Sequence, residues 1–161
     1  MALERLDRGR MLRGALAGAT AAGVWALQQP LDKRALRCRY DDVELLGRMV
    51  APRGSRARWY PLGLALHAQN GALFGAAYAG VAGPLLGRAG VPAALRAPLM
   101  AEAENFALWP LGRLSDRFHP ARDALPRLAG NGRALAQATW RHLLFGVVLG
   151  ALERRLNPPA A

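Results

Sequence analysis

Trp59-Tyr-Pro-Leu-Gly-Leu-Ala-Leu-His67-Ala-Gln-Asn70-Gly71-Ala-Leu-Phe74-Gly75-Ala-Ala-Tyr78-Ala-Gly-Val-Ala-Gly-Pro84-Leu-Leu-Gly87 is a run of 29 residues without one Asp, Glu, Lys or Arg. A bilayer core is crossed by about 20 mainly apolar helical residues, so this run predicts a spanning helix. Gly14 to Leu31, 18 residues free of charge, predicts another. Two further apolar stretches are interrupted, Ala97 to Gly112 by Glu102 and Glu104, and Ala134 to Leu152 by Arg141-His142. The expectation is an all-α integral membrane bundle of about four transmembrane helices, over residues 14–31, 61–83, 97–112 and 134–152. It forms a single membrane domain across 1–161, with a short amphipathic helix in the loop segment 33–50.

The rest of the composition fits around those spans. The chain has 161 residues, 22 Lys+Arg against 11 Asp+Glu for a net charge of +11, and is 52% hydrophobic. It is too apolar for a disordered polycation. Cys38, the one cysteine, leaves no internal disulfide and no Cys-based zinc or iron–sulfur site. A charge of +11 first suggests phosphate binding and hence nucleic acid. The basic residues instead cluster at Arg5–Arg13, Lys33–Arg58, Arg88–Arg96, Arg113–Arg133 and Arg154–Arg155, between the apolar runs. That loop-and-span pattern makes lipid headgroups the partner and excludes nucleic acid. Trp25, Trp59, Tyr60, Trp109 and Trp140 lie toward segment ends, where an aromatic belt would place them. A soluble Ala/Arg-rich helical protein is the competing reading, since the mean hydropathy is only +0.04. A secretory signal over Met1 to Ala26 is another.

Small residues recur at helical spacing in Gly14/Gly18, Gly71/Gly75 and Gly146/Gly150. Such faces let helix backbones approach closely, and the repetition favours packing within the chain over dimerisation. Asp41-Asp42-Val43-Glu44 reads as a capping box, with Leu36, Tyr40, Val43, Leu46 and Val50 as the apolar stripe of the helix that follows. Its carboxylates could hold a cation, although such spacing more often marks a solvated helix start. Gly83-Pro84 and Pro110 read as span ends, and Asn157-Pro-Pro-Ala-Ala161 as a frayed tail. No phosphate loop, nucleophile elbow or histidine-pair metal motif occurs, so no catalytic residue, cofactor or metal is assigned.

The interruptions carry the functional interest. At about 1.5 Å per residue, His67, Glu104 and His142 share a depth of about 12 Å, and Asn70, Glu102, Asn105, Gln137, Thr139 and Arg141 lie within a turn or two. Gln28 and Gln29 lie nearer the face. A lone charge at a helix centre costs about 2.5–3.5 kcal/mol, so mutual pairing is expected. Glu104 is expected to pair with Arg141 or hydrogen-bond His142. Glu102, about 200° around the helix, must point elsewhere. This intramembrane layer can serve helix orientation, proton or solute passage, catalysis by Glu104 or His142 on a lipid, or haem ligation by His67 and His142. Loops one and three carry 13 Lys/Arg against eight on the other face, so the positive-inside rule puts those loops in the cytoplasm.

Gly14-Ala-Leu-Ala-Gly18 with Trp25, His67 and Asn70 with Phe74 and Tyr78, and Trp140, His142, Gly146 and Glu153-Arg-Arg-Leu156 resemble the YagU-like small bacterial inner-membrane proteins. Gln29-Pro-Leu-Asp-Lys33 and Tyr40-Asp-Asp-Val-Glu44 resemble uncharacterised multi-pass proteins of actinobacteria. The likeness covers about two thirds of the chain and leaves Glu102-Ala-Glu104 unaligned. It implies a multi-pass fold in a bacterial inner membrane and carries over no catalytic residue. The functional expectation is a non-enzymatic accessory or scaffold protein, associating with itself or with other membrane proteins. The alternative is a small transporter or proton/solute carrier using the polar layer.

Overall fold

The computed structural model describes residues 7–158, which are helical throughout their ordered elements and contain no strand. Helix α1 runs Arg8–Ala35, α2 Asp42–Val50 and α3 Arg56–Ala77; a π-helical turn at Tyr78–Ala82 leads into α4, Gly83–Arg88. Helix α5 spans Ala93–Leu108, a 3₁₀ turn covers Trp109–Leu111, and α6 (Gly112–Phe118) and α7 (Gly132–Leu156) complete the chain.

Side-chain caps start the helices that set the frame. Asp7, Asp41 and Asn131 accept from the backbone N–H of Arg10, Glu44 and Ala134 at 3.1, 3.0 and 3.1 Å, satisfying donors that a helix start leaves without partners. The expected capping box at Asp41 is half formed, because the Glu44 carboxylate turns forward to Arg48 at 2.6 Å. Arg37 adopts φ +49° and turns the chain from α1 toward α2.

Several expected boundaries move. Helix α1 extends past Pro30 to Ala35, so Asp32 and Lys33 belong to it and not to a loop. Gly83-Pro84 does not end the α3 segment. The N–H of Gly83 bonds the Tyr78 carbonyl in π register, and the ladder shifts just where Pro84 has no N–H to offer. The stripe on α2 closes at Val43 and Gly47, with Val50 58% exposed. Residues Arg5 and 159–161 lie outside the described residues. Asn157 of the tail is buried and takes a 2.6 Å hydrogen bond from Arg13.

Helix α1 packs against both α3 and α7, α5 lies on α7, and α2 lies on α3. The α1/α3 seam is built of the expected glycines. A Cβ on Gly18 would sit 1.9 Å from the Gly71 carbonyl oxygen, and one on Gly75 2.1 Å from that of Gly14. The two pairs therefore face one another within the chain, backbone against backbone. Gly146 meets the backbone at Pro98 on α5, and Gly150 the Ala97 side chain. Gly47 and Gly63 seat α2 on α3 by the same device, a pair without the GxxxG spacing that marked the others.

The interior holds small and aromatic residues, among them Ala17, Ala21, Trp25, Tyr78 and Phe145. Trp25 and Trp59 are buried, so neither stands in an aromatic belt. Among the described residues one helix, α7, is long and apolar enough to cross a membrane by length and composition.

Crowding at the seam sets a prediction. Gly18→Leu forces the backbones apart and should cost about 1–3 kcal/mol, whereas Gly23→Leu, with nothing within 4 Å of its Cβ position, should leave stability nearly unchanged. Thermal unfolding of the two variants by circular dichroism compares them directly, and equal melting temperatures would contradict the seam.

Candidate functional site

Arg141, at the middle of α7, is fully buried, and its guanidinium determines how the polar residues divide. Nε and Nη2 donate to the two carboxylate oxygens of Asp32 at 2.7 and 2.6 Å, and Nη1 donates to Asp42 at 2.8 Å. Nη2 also reaches the Tyr40 carbonyl at 3.1 Å, and the group lies 5.5 Å from the Tyr40 ring centroid. The forked, planar cation thus meets one carboxylate with two parallel bonds, its strongest geometry.

The carboxylates are themselves held. Asp32 accepts from Gln137 at 2.5 Å and Gln28 at 2.6 Å. Asp42 accepts from the Tyr40 hydroxyl at 2.5 Å and the Trp25 indole at 3.2 Å. Beside them, Lys33 pairs with Asp41, and the Gln29 amide, turned to donate, reaches both Asp41 oxygens at 2.9 and 3.2 Å. Burial pushes the Asp42 carboxyl up, but the charges of Arg141 and His67 and the Tyr40 hydrogen bond outweigh it, holding it below the ordinary carboxylate value. Burial and the adjoining Asp42 carboxylate push the Tyr40 hydroxyl well above its ordinary range, keeping it a donor.

Arg141 therefore pairs with Asp32 and Asp42, and the expected Glu104–Arg141 pair does not form. Its partners were obscured in the sequence by Pro30, after which the chain turns polar and Asp32 reads as loop. A helix tolerating Pro30 places Asp32 one turn beyond Gln28, on the face that meets α7.

The other expected residues gather around an adjoining cleft of about 310 Å³, which Trp25, Tyr40 and Asp42 of the cluster also line. Helices α3 and α5 bound it, approaching one another through the π turn, while α1 and α7 floor it and α2 closes one end. His67, Asn70, Glu104, Asn105 and His142 all line it. Trp25 touches both imidazoles edge to face, with ring centroids 5.1 Å from His67 and 4.7 Å from His142. An indole is thus their shared neighbour where the haem alternative needs a porphyrin. His142 Nδ1–H donates to the Ala138 carbonyl at 2.8 Å, which turns Nε2 toward the Glu104 carboxylate, 3.9 Å away. His67 is 93% buried by its 7% exposure, and its Nε2 has no hydrogen-bond partner among the described residues.

Glu102 points away from Glu104, as their spacing requires, and accepts from Asn105 at 3.2 Å; Asn105 also donates to Thr139 across to α7. Asp41, Asp42 and Glu44 do not converge on a cation position, and among the described residues no cluster of three His, Cys, Asp or Glu could hold a metal. His119, which the sequence did not single out, has a packing role: its Nδ1 accepts from Ala121 and its Nε2–H donates to the Leu45 carbonyl at 3.0 Å, fastening the third loop to α2.

Compared with protein-family models, curated proteins and solved structures, the chain finds no match.

Two predictions test the cluster. Arg141→Met leaves two carboxylates buried without a counter-charge and should cost about 3–5 kcal/mol, read by chemical unfolding. Because the Asp42 carboxyl is depressed, its contribution is present above about pH 4 and is lost as pH falls further. Because the Tyr40 hydroxyl is raised, its contribution is present below about pH 10 and is lost as pH rises further. Melting temperature against pH should decline in both windows, and Tyr40→Phe should flatten the alkaline decline. An alkaline decline unchanged in Tyr40→Phe would contradict this assignment.

Proposed function

We propose that the chain is a bacterial inner-membrane protein whose four helical segments span the bilayer and whose internal cleft makes it a small proton or solute carrier. Support for the membrane comes from the inverted distribution of side chains. Arg141 and Gln137 are fully buried, while Leu12, Leu16, Leu27, Leu31, Leu73 and Phe106 are each more than half exposed. In water an outward leucine surface costs free energy, whereas in lipid it is favourable and the bundle interior is where intramembrane polar groups belong. The uncharged run from Trp59 to Gly87 continues without a break through α3, the π turn and α4. Loops one and three, with most of the basic residues, then face the cytoplasm.

The observation that carries the carrier reading is the division of the polar layer. The Arg141 cluster ties α1, α2 and α7 together by itself, with the Arg141 guanidinium spent on Asp32, Asp42 and the Tyr40 carbonyl. His67, Glu104 and His142 are not needed for that task, yet they share one cleft.

Vesicles reconstituted with the protein and loaded with the pH dye pyranine test this reading. Under an imposed pH gradient the wild type should dissipate the gradient several-fold faster than empty vesicles. Glu104→Gln should return it to the empty-vesicle rate, while Glu102→Gln, outside the cleft, should not. No protein-dependent flux in the wild type would overturn the carrier and leave the accessory or scaffold role.

A further inference from the structure

The chemistry of the cleft wall is one-sided. Among the described residues, no Lys or Arg lines the cleft. Its titratable groups are the Glu104 carboxylate, the half-committed His142 ring and the buried His67, whose Nε2 has no partner among the described residues; the Asn70 and Asn105 amides also line it, the Asn105 NH2 being taken by Glu102 and Thr139. Since His142 Nδ1 donates to a carbonyl, a neutral ring carries its lone pair on Nε2, toward Glu104. The Asp42 carboxylate stands in the same wall, its oxygens taken by Tyr40, Trp25 and Arg141. Trp25, Tyr40, Trp109, Phe74 and Phe145 share the remaining lining with leucine, alanine and glycine residues.

We infer that the cleft binds an organic cation, specifically a protonated amine on an apolar or aromatic body. An ammonium group has three N–H donors and no acceptor, which complements a wall offering the Glu104 carboxylate and the His142 Nε2 lone pair. Its positive charge is attracted to aromatic faces, and its apolar body replaces water along Phe74 and Phe145. An anion of the same size would meet the Glu104 and Asp42 carboxylates with no cation to receive it. In a strongly basic chain, a polar cleft with no basic side chain among its described lining selects against anions by the same means. The inference names the ligand class of the carrier proposed above, and binding can be measured without transport.

Tryptophan fluorescence supplies the test, because Trp25 and Trp109 line the cleft. The purified full chain in detergent micelles is titrated with 2-phenylethylammonium, with the neutral 3-phenylpropanol, and with 3-phenylpropionate, all carrying a phenyl group and of similar size. The amine should give a saturable change, with the alcohol binding at least tenfold more weakly and the carboxylate producing no saturable change. Glu104→Gln, whose side chain is 42% exposed in the open part of the cleft, should keep the fold and weaken the amine at least tenfold. Equal response to amine and carboxylate, or amine affinity unchanged in Glu104→Gln, would overturn the inference. Selective amine binding without vesicle flux would sink the carrier and keep the amine site. Flux that depends on Glu104 without amine binding would do the reverse.

Discussion

A guanidinium with no exposed surface is the constraint from which the arrangement follows. Arg141 cannot stay charged in the interior without counter-charge, and one carboxylate would leave donors unspent. Asp32 on α1 and Asp42 at the start of α2 are drawn to it together, with the Tyr40 carbonyl taking a further hydrogen bond. Three segments distant in sequence are thereby fixed at one end of the bundle. Helix α1 must run on past Pro30 to deliver Asp32, and the turn at Arg37 must bring Asp42 back over the α1/α7 seam. The glycine contacts between α1 and α3 act from the other side, bringing bare backbones together while α7 packs on α1 and α2 on α3.

The cleft is a consequence of that geometry. Helices α1, α3 and α7 are drawn together by small residues and by charge, and α5 is held to α7 by the glycines at 146 and 150. Nothing equivalent closes α3 onto α5 away from the π turn. The space left between them receives the side chains that the Arg141 cluster did not recruit. A polar layer that looked uniform by depth is therefore two adjoining structures that share Trp25, Tyr40 and Asp42: a buried ion-pair cluster and an open cleft.

Much of the architecture was legible because it rests on local patterns. Two uncharged runs located α1 and α3 and two interrupted apolar runs located α5 and α7, glycine spacing located the α1/α3 seam, and Asp41 announced α2. A common depth from one face brought His67, Glu104 and His142 to the same place, and the 200° between Glu102 and Glu104 separated their directions. The pairing of Arg141 was not legible. Depth along a helix says nothing of azimuth around it, and Asp32 and Asp42 were assigned to a loop because helix ends were taken at Pro30 and at the change in polarity. Trp25 was misplaced for a related reason, since a tryptophan near a predicted end reads as an interface anchor until a neighbour's histidines are known to enclose it. Gly47 and Gly63 went unnoticed because their contact crosses between helices without a repeat in either.

The central claim is that this inverted bundle is folded in lipid with α3 and α5 both crossing, so that the cleft lies inside the membrane. Topology mapping by cysteine labelling tests it most directly. Cys38 is buried and is replaced by serine, and single cysteines are placed at Arg53, Ala89 and Arg122, all exposed. The account predicts that residues 53 and 122 label from the same side of sealed vesicles and residue 89 from the other. Labelling of all three from one side would contradict it, because Glu104 would then lie on a surface and the cleft would open to water.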